Sequence, residues 1–135
     1  MTDTSTLEPA IGRTTDLTFD EAVERTRAAL VDQSFGVLCE IDVSSTLRAK
    51  LGVELPRTLI LGACHPPSAK RALDAAPEIG VLLPCNVVVR ETPDGLTRVE
   101  AINTALMSRL FPEESGIGDI ADEIGARLRA VIDAV

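Results

Sequence analysis

Four residues whose types could do chemistry fall at the ends of two apolar segments. Leu59-Ile60-Leu61-Gly62-Ala63-Cys64-His65-Pro66-Pro67 ends in a thiol and an imidazole, and Leu82-Leu83-Pro84-Cys85-Asn86-Val87-Val88-Val89 opens with a thiol and an amide. If the two segments are neighbouring antiparallel strands joined by a short helix, the end of the first and the start of the second share one sheet edge. Cys64, His65, Cys85 and Asn86 are therefore the candidate ligand-binding residues. Thiolate and imidazole suit zinc or copper, so Cys64, His65 and Cys85 are also candidate metal ligands, although they make three and the chain has 1 His. Two converging thiols would instead serve thiol-dependent or redox chemistry. Cys64 lies just before a helix start, where the dipole favours a thiolate, but Pro66 and Pro67 delete two of the amides that would help. A Cys-His nucleophile pair fits less well, because adjacent strand residues point to opposite faces. Asn86 is the strongly polar side chain between Ile79 and Val89 and needs a partner, either the Pro66-Pro67 loop or a ligand. The plainest alternative makes both thiols small buried hydrophobes, as free cysteines usually are. No catalytic residue is assigned.

The elements that would hold these groups can be read along the chain. Residues 1–10 form a polar tail, followed by a strand near Ile11 to Thr15 that opens a single domain over 11–135. Thr18-Phe19-Asp20-Glu21 is a capping box, and Phe19, Ala22, Val23, Thr26 and Leu30 then repeat at helical spacing to about Gln33. Phe35 to Val43 alternates, which places Val37, Cys39, Ile41 and Val43 on an inward face and makes Cys39 packing only. Ser44 or Ser45 caps a short helix that stops at Gly52. Thr58 to Cys64 is the next strand, and Pro66-Pro67 opens a second short helix bounded by Pro77. Cys85 to Glu91 and Leu96 to Asn103 flank the turn Thr92-Pro93-Asp94-Gly95 as a hairpin. Ile117, Ile120, Ile124, Leu128, Val131 and Val135 form the stripe of a long closing helix.

Composition excludes several classes of partner. With 135 residues the chain is one domain, able to bury roughly two-thirds of its unfolded surface. The hydrophobic share is 45%, yet aromatics make up 2%, with no Trp or Tyr for base stacking. A formal net charge of -8 repels a nucleic-acid backbone or an anionic bilayer at long range. Neither is expected as a partner. No signal-like or membrane-spanning run is visible, and 3 cysteines are few for a secreted scaffold, so a cytoplasmic location is expected. Gly116-Ile117-Gly118 lacks the rest of a phosphate-loop fingerprint.

Gly36-Val37-Leu38-Cys39-Glu40-Ile41-Asp42-Val43, Leu61-Gly62-Ala63-Cys64-His65-Pro66-Pro67 and Glu78-Ile79-Gly80-Val81-Leu82-Leu83-Pro84-Cys85-Asn86-Val87 resemble, in order, the signature blocks of the bacterial "domain of unknown function 302" family. The resemblance implies an α+β fold of the TATA-binding-protein class, β-α-β(4)-α, used as a homodimer, and it implies no reaction. His65 and Cys39 stand where that family pattern has Asn and Thr. Together these readings predict an antiparallel sheet with two long helices on one face and two short inserted helices. A homodimer is expected on a second ground: Leu59-Ile60-Leu61 and Val87-Val88-Val89 are apolar at successive positions, so both of their faces need cover. The functional expectation is a small-ligand or protein-interaction module; the alternative is a thiol- or metal-dependent enzyme or sensor, and the cofactor is left open.

Overall fold

The structure, a computed structural model, describes residues 7–135. Five strands, β1 (Ala10–Thr15), β2 (Gly36–Asp42), β3 (Thr58–Cys64), β4 (Cys85–Glu91) and β5 (Thr97–Ile102), form one sheet in the order β1-β5-β4-β3-β2. Every neighbouring pair is antiparallel. The helices are α1 (Phe19–Asp32), α2 (Val43–Leu51), α3 (Pro66–Ala75), α4 (Ala105–Leu110) and α5 (Ile117–Asp133), with 3₁₀ turns at Pro77–Leu82 and Glu113–Ser115. The α+β antiparallel fold follows the sequence expectation; α4 and the place of β1 beside β5 were not foreseen. Residues 1–6 of the expected tail lie outside the described residues, and Ala10 already belongs to β1.

Local chemistry explains where the elements begin and stop. Thr18 Oγ1 accepts from the Glu21 amide at 3.1 Å, and the Glu21 carboxylate accepts from the Thr18 amide at 2.9 Å, which satisfies two otherwise orphaned donors at the start of α1. Gly52 ends α2 at φ 67, a left-handed conformation that costs glycine least. The start of α2 corrects the expectation of a serine cap. Asp42 is the cap, accepting from the Ser45 amide, and Ser44 donates to the same carboxylate. A carboxylate outcompetes a hydroxyl here because it takes both donors at once.

Cross-strand partners sort the sheet into two faces. On one, Glu40, Leu61, Val87, Ala101 and Ile11 form a row, as do Asp42, Leu59, Val89, Val99 and Arg13. The stripes of α1 and α5 lie over these rows, so Leu61, Val87, Val89 and Val99 reach 0% exposure. Burying a side chain of that size stabilises the fold by about 1.5–3 kcal/mol. The opposite face carries the rows Ile41, Ile60, Val88, Glu100, Gly12 and Cys39, Gly62, Asn86, and none of these residues except Gly62 is buried.

One irregularity sets which side chains of β2 face where. Val37 pairs with Ala63 and Cys39 with Gly62, so Leu38 is an extra, bulged residue. A single inserted residue moves every later side chain to the other face. Cys39 and Ile41 therefore lie on the open face, not inward as simple alternation predicts; Cys39 is exposed, and Ile41 is 48% exposed. Glu40 and Asp42 take the helix side instead, where Glu40 pairs with Arg27 of α1. No helix among the described residues is long and apolar enough to cross a membrane.

Candidate functional site

The route from β3 to β4 builds one enclosed corner. The chain leaves β3 at Cys64, turns at His65, runs through α3 and the 3₁₀ turn, and re-enters the sheet at Cys85, which lies opposite Ala63. Cys64, His65 and Cys85 line a cavity of about 340 Å³ walled by α3, the 3₁₀ turn, α4 and α5. Ala63, Ala69, Ala72 and Ala121 face into it. These four short side chains, set among isoleucines and leucines, leave the space. Leu38 and Leu73 also line the cavity and are 67% and 42% exposed, so it reaches the surface beside them. The bulge that reorients β2 is what places Leu38 there.

The two thiols differ in surroundings. Cys85 is buried, and loss of water around it, with a smaller contribution from the adjacent Cys64, pushes its pKa up to about 11. It is a neutral thiol at physiological pH and behaves as a small apolar group. Cys64 is half-buried at the strand end. Both cysteines are unbridged.

His65 is held on two sides. Its ring meets Phe35 edge-on, with centroids 5.9 Å apart. Its Nδ1 lies 2.7 Å from Ser68 Oγ, and Ser68 donates to Glu123 Oε2 at 3.2 Å, which also accepts from Arg71 at 2.8 Å. Only 7% of the residue is exposed, and burial, followed by the positive charge of Arg127, holds the imidazole pKa below its ordinary value despite the opposing pull of Glu123. The imidazole is neutral. Arg71 and Ser68 in turn hold the Glu123 carboxyl below the usual range, so it is ionised.

The structure treats the sequence candidates unequally. Among the described residues no cluster of three or more His, Cys, Asp or Glu is arranged to hold an ion, at Cys64, His65 and Cys85 or elsewhere. The imidazole is turned to Ser68, and burial opposes ionisation of Cys85. Asn86 does not join the site either. Next to Cys85 in a strand, it projects from the opposite face, where it is exposed and lines a separate hollow with Val81, Val88 and Ile102. Sequence reasoning missed Ser68 and Glu123. The His65-x-x-Ser68 spacing in the first turn of α3 was a usable signal for Ser68; nothing local pointed to Glu123, which is 55 positions from Ser68.

Comparison with known proteins places this geometry in a family without assigning it a reaction. A solved structure described as "uncharacterized conserved protein DUF302 from Bacillus stearothermophilus" is similar at TM-score 0.86 and 28% identity, with 95% of this chain and 98% of that chain covered. No curated protein matches the sequence. The family model described as "Domain of unknown function DUF302" matches residues 11–135, and the chain therefore belongs to the DUF302 family.

Proposed function

We propose that this protein is a cytoplasmic, homodimeric small-ligand module that holds one apolar molecule in the cavity beside Cys64, His65 and Cys85. The observation carrying this reading is the cavity itself: about 340 Å³ with an almost wholly apolar lining and one fixed imidazole. Ligand sites generally have this size and make-up. The thiol-dependent alternative is weaker because burial keeps Cys85 protonated, which removes one member of a reactive pair. Titration with the neutral fluorophore N-phenyl-1-naphthylamine tests the proposal. Wild type should enhance its emission saturably, and Ala72→Leu, which fills the cavity, should abolish that enhancement while unfolding at a similar urea concentration. Absence of enhancement in wild type would refute ligand binding at this site.

The homodimer rests on a separate observation. Ile60, Val88 and Ile102 are only half-buried on the open face, and Ile41 and Val81 are 48% and 87% exposed beside them. An apolar patch of this kind is a self-association surface when a two-fold axis brings it against its own copy. Light scattering at micromolar concentration should return twice the 14.3 kDa monomer mass. Ile60→Glu should return it to one.

A further inference from the structure

Resting on the cavity reading above, we propose that Nε2 of His65 is the hydrogen-bond acceptor of the cavity, and that the ligand is an apolar molecule carrying one neutral hydroxyl, of the phenol or alkanol class.

The hydrogen-bond chain that ends on His65 fixes the tautomer. Glu123 is an ionised carboxylate and can only accept. Ser68 has one proton, and it goes to Glu123 Oε2 at 3.2 Å. At the 2.7 Å contact with Ser68 Oγ, the proton must then come from His65 Nδ1. A neutral imidazole with its proton on Nδ1 has a bare lone pair on Nε2. Among the described residues Nε2 makes no hydrogen bond, and the ring carrying it lines the cavity. The same ring packs edge-on against Phe35, and the Ser68 bond to Nδ1 sets its orientation.

The surroundings of this lone pair select among ligands. Cys64, Cys85, Met107 and Ser68 are the other heteroatom side chains lining the cavity; sulfur is a weak partner, and the Ser68 proton already goes to Glu123. A carboxylate would bring its own lone pairs against Nε2 between apolar walls; Arg127, whose charge acts on His65 and whose Nε is buried without a partner, is not among the lining residues, so no cation stands in the cavity to take the charge. An ammonium group would have no anion in the cavity, since the Glu123 carboxylate is already taken by Ser68 and Arg71. A neutral O–H meets both requirements: its proton goes to Nε2 and the rest of the molecule fills apolar space. The discrimination expected of one such bond, against an isostere that cannot donate, is on the order of ten-fold.

Paired titrations with 4-propylphenol and 4-propylanisole, which differ by methylation of the hydroxyl, test the assignment by calorimetry. Wild type should bind the phenol at least about ten-fold more tightly, and His65→Phe should bind the two equally. Because that substitution changes core packing, a second measurement keeps the imidazole in place. The chain has 1 His, so the ¹⁵N shifts of its two ring nitrogens are unambiguous. They should report a protonated Nδ1 and a bare Nε2, and the Nε2 signal should move when the phenol binds and stay when the anisole does. Ser68→Ala should narrow the discrimination by releasing the tautomer. Equal binding of phenol and anisole by wild type, or a proton on Nε2, would overturn the assignment and leave the cavity reading intact. Failure of both compounds and of the naphthylamine probe to bind would remove both.

Discussion

The two faces of the sheet are built from similar side chains and differ in what stands over them. On the helix side, Leu61, Val87, Val89 and Val99 are fully buried under α1 and α5. On the other, Ile60 and Val88, their immediate neighbours in sequence, are only half-buried. Because strand side chains alternate, Leu59-Ile60-Leu61 and Val87-Val88-Val89 supply both faces with aliphatic groups at once. One face finds its cover inside the chain. The open face ends in a polar row, Thr58, Arg90, Arg98 and Thr14, so its apolar part is bounded rather than continuous. A bounded apolar patch on an otherwise solvated sheet is the physical case for the second subunit proposed above.

The largest effect expected separates the faces within one strand. Leu61→Ala leaves a void between β3 and the helices and should lower the unfolding free energy by about 2–5 kcal/mol in urea at every protein concentration. Ile60→Ala, one residue away, should cost about 1 kcal/mol or less in dilute protein and more as concentration rises and the face is covered. A small Ile60→Ala cost that ignored concentration would break the dimer side of the comparison. A small Leu61→Ala cost would break the other.

The alkaline limb sharpens the helix side. Cys85 shares that face with Ala63, and its pKa rises from 9.0 to about 11 on folding. A folded-state pKa above the unfolded value gives stability that is complete below pH 9 and is lost as pH climbs through 11. The shift corresponds to about 2–3 kcal/mol. Urea midpoints across this range should therefore fall more steeply for wild type than for Cys85→Ala, which has no thiol to ionise. Parallel curves would mean that water reaches Cys85.

How much of this was legible in the sequence depended on the range of the signal. The Thr18-Glu21 capping box, the Gly52 stop and the α5 stripe are local, and each stands where the pattern put it. Cys64, His65 and Cys85 meet because the β3-α3-β4 path is short, which the spacing also implied. The facing of Cys39 and Ile41 was not legible, since a bulge at Leu38 leaves no mark in an alternating run yet inverts everything after it. Asn86 was legible and misread: the alternation Cys85, Val87, Val89 already assigned it to the opposite face. Glu123 needed the packing of α5 against α3, which no local pattern encodes.

Gly62 tests the open face at its tightest point. A Cβ there would stand 2.6 Å from Cys39 Sγ and 2.9 Å from Pro84 Cγ, a space that only a hydrogen fits. Gly62→Ala should destabilise the fold by about 1–3 kcal/mol, since the Pro84 ring is fixed and the Cys39 thiol would have to turn away. Removing the nearer obstacle in Cys39→Ala/Gly62→Ala should return part of that loss. Full additivity of the two changes would show that Cys39 does not press on Gly62.

The smallest expected effect probes the polar border of the same face. Glu100 accepts from Arg90 Nε at 2.7 Å and from Arg98 Nε at 3.1 Å, and these bonds, Arg90 foremost, hold its carboxyl below the usual range. The lowered pKa gives stability that is present above the unfolded value of 4.5 and is lost as pH falls below it. Both arginines remain partly in water, which screens the pair, so Glu100→Gln should cost only about 0.5–1 kcal/mol at pH 7 and less at pH 3, where the carboxylate is being protonated. In a dimer that covers the open face, the same substitution would leave two arginines against apolar surface with less compensation, and its cost would rise with protein concentration. Urea midpoints of Glu100→Gln at two concentrations, each at pH 7 and pH 3, distinguish the cases. A cost unchanged by both variables would detach Glu100 from the border and leave its arginines as ordinary solvated charges.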